Sequence, residues 1–230
     1  MEQSRDGIFR HVAALIPPAQ EADCTLVGVD GQDASGKTTF ANDLAAYCYQ
    51  ILHRPVIRIS IDDFHYPKNI RYRRGRKSAD GYWLDSFDYH RFHDDVLKPL
   101  GASGSRSYKK RSHDLLTDLV LDNEPSSAAE PGSIVIVDGV FLHRQELSGA
   151  WHMSVFLDVP ANICALRMMA RDGIDWDSTS RYYDGQKIYL ESCHPKQKAT
   201  VVVDNSNPQR PILLGSDRPL ANLDISYPHQ

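Results

Sequence analysis

Cysteine is scarce in this chain, and Cys24, Cys48, Cys164 and Cys193 are scattered without a C-x-x-C pair. Neither a zinc site nor a disulfide framework is suggested, and buried reduced thiols are the simpler reading. No apolar run approaches membrane-spanning length, so no membrane partner is expected. The opening residues Met1-Glu-Gln-Ser-Arg-Asp6 lack the apolar core of a secretion signal, and a cytoplasmic protein is expected. A strong excess of one charge is also missing. A net charge of −4 excludes a surface built as a whole to hold nucleic acid, so any anion site is local.

What is present is an ordinary globular composition of 230 residues, 41% hydrophobic and 24% charged. That length suits one α/β domain with a single sizeable core. Ile8, Val12, Leu15 and Ile16 fall at helical spacing over 5–16, stopped by Pro17-Pro18. Apolar strands are expected over 24–30, 56–61, 133–137, 153–157 and 200–203, and helices over 36–52, 161–171 and 179–191. Residues 64–133 are polar, aromatic and loop-rich, with one helix expected over 89–100. They read as an insert that chooses the acceptor within a single domain of 1–210, with 211–230 as a tail. Apolar strands alternating with helices indicate a parallel sheet covered on both faces, with ligands at the strand carboxyl ends.

Gly31-Gln-Asp-Ala-Ser-Gly36-Lys37-Thr38 fits G-x-x-x-x-G-K-[ST] after a strand and before a helix. Such a loop turns successive N–H groups inward on a phosphate, and the helix behind it adds its positive end. Asp33, Ala34, Ser35 and Thr39 belong to the same cradle. Lys37 is placed to bridge the β- and γ-phosphates of ATP, and the Thr38 hydroxyl to meet magnesium. Asp138 ends an apolar strand and is the natural partner for that metal; an Asp-Gly turn is the plainer alternative.

Transfer to a hydroxyl needs a carboxylate near the γ-phosphate. Asp62 and Asp63 end the second strand; Asp62 is assigned as base, with Asp63 helping the metal or holding the loop. Phe64 and His65 follow on the acceptor side. Tyr82, Trp83, Phe87 and Asp88 read equally as an acceptor pocket and as packing of the insert. Lys68 to Lys77 carries six basic residues in ten, as a solvated or lid-like loop rather than a nucleic-acid patch. Arg167 and Arg171 sit one turn apart on a helix, where a lid over ATP would place transition-state arginines. His90 and His93 lack a third metal ligand.

The ordered set GVDGQDASGKTTFANDLA (28–45), SIDDFH (60–65), DSFDYHRF (85–92), VDGVFL (137–142), FLDVP (156–160), ARD (170–172) and VVVDN (201–205) resembles the uridine kinase-like branch of the P-loop kinases. The resemblance spans about 24–205. It implies a three-layer α/β fold around a five-stranded parallel sheet of order 2-3-1-4-5. It implies an ATP- and Mg²⁺-dependent kinase, with uridine or cytidine as first acceptor. Asp62 matches the family's base, Lys37 and Thr38 its ATP and magnesium ligands, and Arg167 and Arg171 its lid arginines. Asp88 matches the position that holds sugar hydroxyls, and Arg181-Tyr182 stands where uridine kinases carry Gln-Tyr. FDYHRF departs from their FDHPDAF spacing, so related acceptors stay open: pantothenate, a sugar or sugar acid, or nicotinamide riboside. An NTP-hydrolysing switch is the alternative of another class, and the oligomeric state, a homo-oligomer included, stays open.

Overall fold

A computed structural model of the chain describes residues 4–18, 23–173 and 176–214. Helix α1 (Arg5–Ala14) starts where the Ser4 side chain accepts the Gly7 N–H, and it buries Ile8, Phe9, Val12 and Ala13. Strand β1 (Thr25–Gly31) is buried at every residue, as a central parallel strand must be. Helix α2 (Lys37–Leu52) buries Phe40, Ala41, Leu44, Ala45 and Cys48 along one stripe. Strand β2 (Val56–Ser60) follows and runs into a 3₁₀ turn, Ile61–Phe64.

Downstream of the insert come β3 (Ile134–Gly139), β4 (Met153–Asp158), α4 (Ala161–Asp172), α5 (Trp176–Cys193), β5 (Val201–Asp204) and β6 (Ile212–Leu214). The sheet order is β6-β5-β4-β1-β3-β2. Its first five strands are parallel, and β6 runs antiparallel to β5, with Ile212 opposite Asp204. The sheet therefore extends into the span expected as a tail; residues 215–230 of that tail lie outside the described residues. The register aligns Asp30 with Gly139, Ser60 with Asp138, and Asp158 with Asp204. All the chemistry at strand ends thus gathers on one edge.

Alternation along the strands divides the core in two. Val27, Val29, Ile134 and Ile136 face α1 and α2, where Phe9 lies 5.0 Å from Phe40. Leu26, Val135 and Val137 face Phe64, Phe92, Phe141 and Tyr189. Fully burying such a side chain contributes about 1.5–3 kcal/mol. The insert shares this second core through Tyr82, Phe87, Phe92, Val96 and Leu100.

The insert is more regular than its composition suggests. Besides the expected helical run, found as Tyr89–Phe92, a π turn His93–Leu97 and Lys98–Leu100, it holds a short helix Lys68–Arg71 and helix α3 (Ala79–Asp85). The Ser78 side chain accepts the Gly81 N–H and starts α3. Two short ribbons pair Ser107–Tyr108 with Ser127–Ala128, and His113–Asp114 with Leu119–Val120.

Candidate active site

The phosphate loop bridges β1 and α2 without side-chain help at the helix start. Gly36 occupies the cap position at φ 90 and offers no capping side chain, which leaves the first N–H groups of α2 free for a ligand. The loop is too tight for a larger residue. A Cβ on Gly31 would fall 2.7 Å from Ser35 Oγ, and one on Gly36 would fall 2.8 Å from Asn205 Nδ2. Ser35 Oγ itself is buried and has no hydrogen-bond partner. An orphaned polar atom within a glycine cradle is what a phosphate would complete.

Lys37 is buried with its Nζ on the Gln32 carbonyl at 2.8 Å. The Thr38 hydroxyl donates to Asp138 Oδ2 at 2.6 Å, so these two metal candidates meet across 100 residues of sequence. Arg58 Nη2 donates to the other oxygen, Asp138 Oδ1, at 2.7 Å. Asp138 is 2% exposed and therefore needs such partners. No group of three or more His, Cys, Asp or Glu side chains able to hold a metal occurs among the described residues. A magnesium ion at Thr38 and Asp138 would take its other ligands from phosphate and water, as that ion commonly does.

Asp62 opens to solvent at the end of β2. Surrounding protein pushes its pKa up to about 6, with Asp33, Asp138 and Asp63 adding to the shift and Lys37 opposing it. Asp63 also titrates high, chiefly through burial, with Arg111 opposing and Asp138 reinforcing the shift. His65 donates its Nδ1–H to the Asp62 carbonyl at 2.6 Å and lies 4.3 Å from the Phe87 ring. Burial, aided by Arg71, His113 and Arg181, lowers the His65 pKa to about 3, so its ring is neutral at pH 7.

The acceptor-side residues fall into different surroundings. Phe64 is fully buried, edge-on to Phe92 at 5.1 Å, and shapes the site only through packing. Tyr82 is also buried; its hydroxyl donates to Asp33 Oδ2 at 2.6 Å, so it braces the phosphate loop rather than facing an acceptor. Asp88 caps the helical run by accepting the Arg91 N–H at 3.0 Å, and Tyr66 hydrogen-bonds to it as well. That engagement leaves it less free to hold sugar hydroxyls. The two arginines of α4 also differ. Arg167 donates to the carbonyls of Ala34, Asn205 and Ser206, joining the loop to the β5 end. Arg171 is exposed and holds Asp172 through two bonds of 2.7 and 2.8 Å. Thr39 lies exposed in the first turn of α2.

Some participants carried little sequence signal. Gln186 accepts the Asp33 N–H at 2.6 Å, and Asn205 donates to the Ser35 carbonyl at 2.7 Å. Asp30 closes a buried network beneath the loop, bonded to the Gly31 N–H, to the Tyr189 hydroxyl and to His143 Nδ1 at 2.6 Å. His143 reaches Ser154 Oγ through Nε2 at 2.9 Å. Arg58, a lone charge inside an apolar strand, was the one visible hint among these.

With the loop, the metal pair and a carboxylate on one sheet edge, the comparisons with known proteins agree. Residues 26–200 match the Phosphoribulokinase / Uridine kinase family. The chain belongs to that family. It is 24% identical to the uridine kinase of Tolumonas auensis over 196 residues, covering 82% of this chain and 90% of the relative. It is likewise 24% identical to the uridine kinase of Escherichia coli K12, covering 83% and 92%. A solved structure titled as a possible uridine kinase from Bacillus stearothermophilus superposes at a TM-score of 0.67 with 25% identity, covering 84% of this chain and 96% of that one. The family chemistry makes the chain a kinase that uses ATP on a small-molecule acceptor. No helix among the described residues is long and apolar enough to cross a membrane.

Proposed function

We propose that the protein moves the γ-phosphoryl group of ATP onto a hydroxyl of a small metabolite, with Asp62 as the base. The observation that carries this reading is the accessible Asp62 carboxylate, poised by a pKa of about 6, on the same sheet edge as Lys37 and the Thr38–Asp138 pair. Asp62 takes the proton of the acceptor hydroxyl as that hydroxyl's oxygen bonds to the γ-phosphorus; the bond from the phosphorus to the bridging oxygen breaks, and ADP leaves. Loop N–H groups and Lys37 hold the phosphates, and Thr38 with Asp138 would hold a magnesium ion, whose charge would offset that developing on the phosphate oxygens. Asp63 supports the metal side, and Arg171 swings from Asp172 to the phosphates as α4 closes. The N–H of Thr39 completes the cradle.

Uridine or cytidine is the acceptor suggested by the names of the curated relatives. Other metabolites on the same frame remain alternatives, among them sugars, sugar acids, pantothenate and nicotinamide riboside. A switch that only hydrolyses NTP would not need Asp62 to take a proton from an acceptor hydroxyl. Asp62→Asn tests the assignment: loss of ADP release on every acceptor with ATP binding retained supports it, and unchanged turnover removes Asp62 from the reaction.

A further inference from the structure

Five buried side-chain polar atoms among the described residues lack any hydrogen-bond partner. One is Ser35 Oγ in the phosphate loop, and another is the Tyr89 hydroxyl. The remaining three, Arg71 Nε, Arg181 Nε and His113 Nδ1, belong to one cluster. Arg71 and Arg181 both stack on the Tyr72 ring, with their guanidinium carbons 5.4 and 5.0 Å from its centre. Arg71 Nη2 and His113 Nε2 share a single carboxylate oxygen, Asp118 Oδ1, at 3.4 and 3.1 Å. Both arginines and His113 act electrostatically on His65, three residues beyond Asp62. Arg181 also stacks on Tyr82, 5.6 Å away, whose hydroxyl reaches the phosphate loop at Asp33. The cluster therefore adjoins the acceptor side of the base.

Arg181 is 6% exposed and His113 2% exposed. A guanidinium withdrawn from water with an unmet N–H is costly, and so is an excess of buried positive charge. Of the neighbouring arginines in the basic loop, Arg73 and Arg74 both hold Asp85, while Arg76 also stacks on Tyr72, 4.8 Å from its centre, and its carbonyl accepts from Arg181 Nη1 at 3.0 Å. The Asp118 carboxylate meets both Arg71 and His113, and its oxygens also take the Lys68 N–H. A neutral nucleobase offers no charge to offset these cations. An anionic group offers both the charge and a planar or tetrahedral set of acceptor oxygens suited to arginine forks.

We infer that the acceptor carries a negatively charged group, a carboxylate or a phosphate, which binds between Arg71 and Arg181 while its hydroxyl is presented to Asp62. This rests on the kinase reading above and narrows its acceptor to hydroxy acids and sugar phosphates. His113 Nδ1 accepts from a hydroxyl of the same molecule while its ring is neutral. The basic run Lys68–Lys77 thereby acquires a purpose, since it brings Arg71 and the Tyr72 platform to the site.

The test measures ADP release by the full chain, with ATP and magnesium, on matched pairs: glycerate and glycerol, gluconate and glucose, ribose 5-phosphate and ribose, together with uridine. The expected result is a kcat/KM at least about tenfold higher on an anionic member than on its neutral partner and on uridine. Which anionic arm responds, carboxylate or phosphate, identifies the group. Equal or better turnover of a neutral compound or of uridine overturns the inference while leaving the kinase standing. ATP binding with no ADP release on any member overturns the kinase reading itself. Arg181→Gln is expected to raise the KM of the anionic acceptor roughly tenfold to a hundredfold without changing the KM of ATP. Arg181→Lys restores part of that loss. An Arg181→Gln effect confined to kcat, or equal on both KM values, counts against direct contact with the anion.

Discussion

Around the phosphate loop, the backbone presents the binding groups and side chains brace it. Asn205 holds the Ser35 carbonyl, Gln186 and Tyr82 hold Asp33, and Arg58 holds Asp138. Around His65, side chains present the binding groups, and Arg71 Nε, Arg181 Nε and His113 Nδ1 are unmatched. The first half is complete apart from Ser35 Oγ and is shaped for one donor. The second holds two arginines whose Nε–H groups an anionic ligand would complete. Preorganised backbone suits a triphosphate donor, whereas side chains suit the discrimination of one acceptor from another.

The comparison breaks first at Asp62. Asp62→Asn is expected to lower kcat by roughly 10²–10⁴-fold while the affinity for ATP stays within a factor of two or so. Single-turnover ADP formation, with nucleotide binding followed by calorimetry, separates the two. Gly36→Ala should do the opposite, weakening ATP by about tenfold or more, because φ is 90 and the new Cβ meets Asn205. If it spares ATP and harms only the acceptor, the division into halves is wrong.

The pH profile sharpens the same point. Since Asp62 titrates near about 6, kcat/KM should fall with unit slope below that pH. Its pKa is raised from 3.8, so the folded state favours the protonated form, and Asp62 costs stability as pH rises through that window. Asp62→Asn should therefore melt higher than the wild type at pH 8, with the gap closing below about pH 4. A constant gap would remove the titration as its cause.

Smaller effects discriminate structural from binding roles in the insert. Asp88→Ala should cost about 1 kcal/mol in denaturant unfolding through the lost helix cap, with little change in acceptor KM. A large rise in acceptor KM would return Asp88 to the sugar-holding role. Tyr82→Phe loosens Asp33 and should weaken ATP binding by up to about tenfold, with the acceptor KM unmoved.

The donor half was legible because its motif is local: Gly31 to Thr38 is contiguous, and Asp62 and Asp138 each end an apolar strand. Strand ends are readable wherever both faces are buried, since the run is apolar without interruption. The acceptor half was hard to read because its contacts join distant segments. Arg71 and Arg181 share the Tyr72 ring, and His113 reaches Arg71 through Asp118. Helix α3 was missed because its polar start, Ser78-Ala-Asp80, reads as loop, although Ser78 is a capping residue. Tyr82 and Phe64 look alike in sequence to pocket aromatics, and only burial distinguishes packing from recognition. His143 and Tyr189 left no pattern, being single residues on separate segments, and Asp30, although inside the 28–45 motif, gave no sign that it would meet them.

The antiparallel strand Ile212–Leu214 lies along the outer side of β5. Without it, the apolar run Val201–Val203 would present an unpaired rim of N–H and carbonyl groups, an open invitation to strands of other chains. A chain shortened at Arg210 is thus expected to retain every residue of the catalytic edge yet to lose solubility, clumping through that rim as its concentration rises.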